Sequence, residues 1–105
     1  MFYFRTLNGH DNWVESLAIL HDGDLASGSR DTTIKIWNSE SGQCEQTLEG
    51  HQGFIVSLCL IDKHKIVTSS FDYSIKIWDL EHGKCIRTIN RDGCGVLNDV
   101  NNIDE

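Results

Sequence analysis

His10, Ser27 and Asp31 are the side chains in this 105-residue sequence whose types could carry covalent chemistry. A serine beside a histidine, with a carboxylate orienting the ring, is the nucleophile, base and orienter of acyl transfer. Two observations argue against that chemistry. The same kinds of side chain recur 41 residues later as His51, Thr68 and Asp72. Neither copy carries the Gly-x-Ser-x-Gly elbow that would present a nucleophile. No catalytic residue is therefore expected, and the chain is read as a non-enzyme. The four cysteines, Cys44, Cys59, Cys85 and Cys94, contain no Cys-x-x-Cys pair, so their spacing does not suit zinc. No metal and no cofactor is expected. His21, His64 and His82 fall in or beside turn signals and are expected at the surface. Cys44 and Cys85 are expected as small buried hydrophobes, too far apart to bridge.

The elements that position these residues come in duplicate. An ungapped shift of 41 lays residues 7–48 on 48–89, and fifteen of the 42 positions are identical. Gly9-His10 falls on Gly50-His51, Ile34-Lys35-Ile36-Trp37 on Ile75-Lys76-Ile77-Trp78, and Gly42 with Cys44 on Gly83 with Cys85. Within each unit, short runs rich in β-branched and aromatic residues alternate with turn formers such as Asp22-Gly23. The expected strands in the first unit are 13–20, 25–29, 33–37 and 44–48. In the second they are 55–61, 65–70, 74–78 and 84–89. No apolar stripe with a 3.6-residue period persists in either unit, which excludes helices. Proline is absent, so nothing interrupts the ladders. The fold class is all-β, with two four-stranded antiparallel sheets.

A period near 40, four strands per unit, a Gly-His opening and a Trp-Asp closing together resemble the WD-repeat family of β-propellers. The resemblance covers residues 2–89. Its literal signature dipeptide is Trp78-Asp79, and its one departure is Asn38 where an aspartate is usual. The resemblance implies a buried tetrad in each blade, carried over as His10, Ser27, Asp31 and Trp37, then His51, Thr68, Asp72 and Trp78. Ser29 and Ser70 share a strand face with Ser27 and Thr68, which leaves the choice of hydroxyl open. A structural tetrad accounts for both copies of the His–hydroxyl–Asp set, since a buried carboxylate needs hydrogen-bond donors.

The resemblance also divides the chain. Residues 1–8 are read as the outer strand of a preceding blade, 9–49 as the first blade, and 50–90 as the second. Residues 91–105 are read as a decayed repeat or flexible acidic tail. A ring needs typically 4–8 blades, so further blades, in cis or in trans, are expected to cover the open faces. A piece of a larger propeller is the preferred reading. A ring of three or four copies is the alternative, and the orphan strand over residues 2–7 counts against it.

Binding is expected at the turn before the innermost strand and at the turn between the second and third strands. Those turns carry Asp11, Asn12, Trp13 and Arg30 in the first unit, and Gln52, Gly53, Phe54 and Phe71 in the second. Aromatic residues with arginine are the composition of binding hot spots. Trp13 and Phe54 have a competing role, tucked between blades at strand entry. The formal charge of −7 argues against surfaces built for phosphate backbones or anionic membranes. No apolar run approaches the ~20 residues of a membrane span, and no secretory signal is visible at the N-terminus. Cytoplasm or nucleus is the expected location. The expected function is a protein-interaction scaffold or adaptor. The alternatives are a substrate-recognition piece of a ubiquitin-ligase complex and a truncated product with no function of its own.

Overall fold

In the computed structural model, residues 6–90 are described. The orphan strand expected over residues 2–7 lies outside them except for Thr6 and Leu7, and the decayed repeat over 91–105 lies outside them entirely. Eight strands form two antiparallel sheets, and each sheet follows chain order. The first contains β1 (Val14–Ile19), β2 (Leu25–Ser29), β3 (Ile34–Trp37) and β4 (Cys44–Leu48). The second contains β5 (Ile55–Asp62), β6 (Lys65–Ser70), β7 (Ser74–Asp79) and β8 (Lys84–Asn90). These bounds lie within one residue of the sequence expectation, and there is no helix among the described residues.

Local chemistry explains the turns. Gly23 takes φ +92° in the β1–β2 hairpin, a conformation that costs glycine little. Its amide donates to Leu20 O, and the Asp22 side chain accepts from the Asp24 amide. Each sheet carries a bulge at the same two places. The β1–β2 register shifts between Val14 and Ser16, and β5–β6 shifts between Ile55 and Ser57. The outer pairs shift between Ile36 and Trp37 and between Ile77 and Trp78. Shared irregularities show that the duplication extends to backbone geometry.

The sheets pack face to face, with β5 lying against β1 and β2. Ala26, Ile34, Ile36 and Leu48 on the first sheet meet Ile55, Ile66 and Trp78 on the second, with Leu20 and Leu80 closing the lower end. Alternation along β2 and β3 sends Ser27 and Trp37 to the opposite face of the first sheet, away from its neighbour.

The cysteines depart from expectation. Cys44 and Cys85 are exposed free thiols, as is Cys59. The reason is their place at the outer bulge of an edge strand, Cys44 as the first residue of β4 opposite Trp37 and Cys85 as the second of β8 opposite Trp78. Cys44 Sγ–H donates to Gln46 O at 3.2 Å, and Cys85 Sγ–H donates to Arg87 O at 3.4 Å. Cys94 lies outside the described residues. His21, His64 and His82 are exposed, as expected.

Candidate protein-interaction face

The site is built on two hydrogen-bonded tetrads. In the first sheet, Trp37 Nε1–H donates to Ser27 Oγ at 2.8 Å. Ser27 Oγ–H donates to His10 Nε2 at 2.6 Å, and His10 Nδ1–H donates to Asp31 Oδ2 at 2.8 Å. The second sheet repeats the chain with Trp78, Thr68, His51 and Asp72 at 2.8, 2.7 and 2.9 Å. One direction of donation runs through all four groups, which suits a neutral imidazole. Ser29 and Ser70 act elsewhere, because their hydroxyls accept from the Asp31 and Asp72 amides. The hydroxyls between histidine and tryptophan are those of Ser27 and Thr68.

Sequence reasoning did not single out Thr33 and Ser74. Thr33 Oγ1–H donates to Asp31 Oδ1 at 2.6 Å, and Ser74 Oγ–H donates to Asp72 Oδ1 at 2.6 Å. Each sits two residues past its aspartate, a spacing that marks a turn held by the carboxylate. Burial pushes the Asp31 carboxyl upward. The Thr33 hydroxyl and amide, the Asp11 amide and His10 together outweigh burial and hold it well below the usual carboxylate range. For Asp72, burial is likewise outweighed by Ser74, the Gln52 amide and His51. Burial lowers the His51 pKa, overcoming the opposite pull of Asp72. His51 lies under the first sheet, whereas His10 lies on that sheet's open face, and their burial differs accordingly.

The donor–acceptor distances match those of a serine-protease triad. Access differs. Ser27 and Thr68 are buried, and an indole N–H already occupies each hydroxyl oxygen. A nucleophile needs that lone pair directed at a substrate.

Above the tetrads, the two sheets present matched cross-strand pairs. The Arg30 amide donates to Trp13 O at 2.8 Å, and the Phe71 amide donates to Phe54 O at 2.9 Å. Side chains so paired are neighbours. The Arg30 guanidinium lies 4.5 Å from the Trp13 ring centre, and Phe54 stacks on Phe71 with centroids 5.4 Å apart. Arg30 also lies 5.1 Å from the Phe54 ring centre, so the pairs join across the sheet boundary. Its Nε–H donates to Glu15 Oε1 at 3.2 Å, a carboxylate delivered by the β1 bulge. Trp13 is 67% exposed and Phe71 63%, while Phe54 is half-buried. Phe54 thus partly fills the inter-sheet position, and Trp13 does not. Tyr73, in the turn after Phe71, is also exposed, at 68% and φ +64°. Its position in the turn after Phe71 was the available signal. Asp11 and Gln52 lie exposed at the rim, their backbone amides held by Asp31 and Asp72.

A family model described as "WD domain, G-beta repeat" matches residues 2–38 and 42–79. The second matched unit takes β4 together with β5, β6 and β7, so it straddles the sheet boundary. The chain is 51% identical over 43 residues to a probable E3 ubiquitin ligase complex SCF subunit, scon-2, of Neurospora crassa; this covers 41% of the chain and 6% of that protein. It is 48% identical over 42 residues to the nuclear distribution protein nudF of Aspergillus niger, covering 38% of the chain and 10% of nudF. It is 49% identical over 39 residues to the pre-mRNA-splicing factor prp46 of Emericella nidulans, covering 36% and 9%. The chain thus spans a tenth or less of these relatives.

Proposed function

Because this chain belongs to the WD-domain, G-beta repeat family, we propose that it is a non-catalytic protein-interaction module that grips partners through the turns carrying Trp13, Arg30, Phe54 and Phe71. The observation that carries this reading is the continuous aromatic–arginine surface, which crosses the sheet boundary and leaves Trp13 and Phe71 about two-thirds exposed. Asp11 and Gln52 supply its polar rim. Large, rigid aromatic side chains around one arginine give contact area at low entropic cost.

Partners are other proteins or peptides, in the cytoplasm or nucleus, and neither nucleic acid nor membrane is part of the role. The matched relatives carry SCF-subunit, nuclear-distribution and splicing names. What they share with this chain is the repeat, which supports an adaptor role in assemblies generally. The ubiquitin-ligase reading is the second. It draws on the SCF names, but a phosphopeptide reader needs converging arginines. Among the described residues Arg30 is the one arginine on these turns, and it is already paired with Glu15.

The test is quantitative affinity purification with wild type and with the paired Trp13→Ala and Phe71→Ala substitutions, matched for thermal stability. Loss of about tenfold or more in the recovery of specific partners supports the face. Equal recovery of every partner refutes it.

A further inference from the structure

Asn8-Gly9 is the single Asn-Gly pair of the sequence, and it stands directly before His10 of the first tetrad. Asparagine before glycine is prone to modify itself, because no side chain shields the following amide and the glycine backbone bends freely. Both residues are exposed and lie outside any strand. Neither the Asn8 side chain nor the Gly9 amide has a hydrogen-bond partner among the described residues. The glycine cannot be exchanged for a residue that would protect the pair. A Cβ built on Gly9 would lie 2.8 Å from Cη2 of Trp37, which the tetrad holds buried.

Related pairs elsewhere are held back. The second unit also needs its glycine, since a Cβ on Gly50 would lie 3.2 Å from Trp78 Cη2. There the preceding residue is Glu49, whose longer side chain does not close a five-membered ring. Asp22-Gly23 could close that ring, but the β1–β2 hairpin occupies its groups. The Gly23 amide donates to Leu20 O at 3.0 Å, and Asp22 Oδ1 accepts from the Asp24 amide at 3.0 Å. Among the described residues only Asn8 combines a short side-chain amide, a following glycine and an unbonded link.

We propose that Asn8 is a self-modifying site whose isoaspartate product unlatches the first tetrad. The Gly9 amide nitrogen gives its proton to hydroxide and attacks Asn8 Cγ. The new N–C bond closes a five-membered imide, and the side-chain nitrogen leaves as ammonia, taking a proton from water. A second water then opens the ring at one of its two carbonyls. Cleavage of the bond to Cγ yields aspartate, the charge that Glu49 already carries at the matching place. Cleavage of the bond to the main-chain carbonyl yields isoaspartate, in which the main chain runs through Cβ and Cγ and is one atom longer. Gly9 lies against Trp37 while His10 is bonded at 2.6 and 2.8 Å, so the added atom pulls His10 out of register. Asp31 also holds the Asp11 amide, and the loosening therefore reaches the turn that leads into Trp13. The inference does not rest on what that turn binds.

The test incubates the full chain, folded or in urea, with a thiol reductant at neutral and mildly alkaline pH. Isoaspartate is read by methyl transfer from labelled S-adenosylmethionine with a protein isoaspartate methyltransferase, and placed by peptide mapping. Residue 8 is expected to react first, at least about tenfold ahead of Asn12, Asn38 and Asn90, and faster at the higher pH. Another asparagine ahead of it, or a folded state that slows Asn8 about tenfold or more, overturns the inference. The aged chain should melt at a lower Tm than the fresh chain. Treatment with the methyltransferase and S-adenosylmethionine, which returns isoaspartate to the imide and so to aspartate, should raise it again. Asn8→Asp should melt with wild type, and Asn8→Gln should keep its Tm on ageing. An aged chain that carries isoaspartate at residue 8 and melts with the fresh one overturns the unlatching. So does a loss of Tm that repair leaves in place or that Asn8→Gln shares.

Discussion

Replacing Thr68 with valine removes one oxygen from the second tetrad and nothing else of comparable size. In the folded chain that oxygen accepts from Trp78 Nε1–H at 2.8 Å and donates to His51 Nε2 at 2.7 Å. Trp78, His51 and Thr68 are all buried, so water cannot take over either bond. Each buried polar group left without a partner costs about 1–3 kcal/mol. Two such groups put the loss at about 2–6 kcal/mol, against a total stability of about 5–15 kcal/mol for a domain. Valine has nearly the shape of threonine, so little of the loss comes from packing. Thr68→Ser provides the contrast: it keeps the hydroxyl and gives up one methyl, at about 1 kcal/mol, and serine already holds the equivalent place at Ser27. Urea denaturation followed by tryptophan fluorescence measures both. A Thr68→Val loss no larger than that of Thr68→Ser would refute the reasoning and remove the tetrad from its place as the clamp of the fold.

The remaining predictions are shorter. Stability should fall on acidification in two stages. His51 has a folded pKa below its ordinary 6.5, so the unfolded state binds the proton first and stability is lost as pH falls below about 6.5. Asp31 and Asp72, also lowered, add a further loss below about pH 4. The raised pKa of His82 beside Asp79 acts in the opposite sense, but the pair lies at the surface, where solvent screens it. Urea midpoints at constant ionic strength check the sign, and a midpoint that rises on acidification contradicts it. Arg30→Ala should cost about 1–2 kcal/mol from two ring contacts and an exposed ion pair. A Tm unchanged from wild type would show that Arg30 serves binding alone. Cys44, Cys59 and Cys85 should react with a thiol reagent in native buffer without loss of the fold; labelling only after denaturation would place them in the core.

Strand limits and sheet order were legible because they rest on periodicity and turn chemistry, which are local and here written twice. The tetrads followed from the family resemblance, and only distances could separate Ser27 from Ser29, since both lie on one face of β2. Cys44 and Cys85 were misread because residue type favours burial, while an edge-strand bulge decides otherwise. Glu15 was invisible as a partner for Arg30 because the β1 bulge that aims it cannot be read from the alternation of side chains. Gly28 carried no signal on its own, because the Ile55 side chain that a Cβ there would meet lies across the sheet boundary.

The tetrad and the aromatic–arginine surface proposed to bind partners are one mechanical unit. Asp31 Oδ2 holds the Asp11 amide at 3.0 Å while Oδ1 holds the Thr33 amide at 2.9 Å. A single carboxylate therefore ties the turn leading into Trp13 to the turn that carries Arg30. Asp72 does the same for the turns of Phe54 and Phe71 through the Gln52 and Ser74 amides. Each carboxylate is in turn fixed through its histidine and hydroxyl to a core tryptophan. Loops held this way lose little freedom when a partner arrives, which is where a rigid face gains affinity. The loops that a propeller offers to partners are thus fixed from within the blade. Residues resembling a catalytic triad are spent on holding them still.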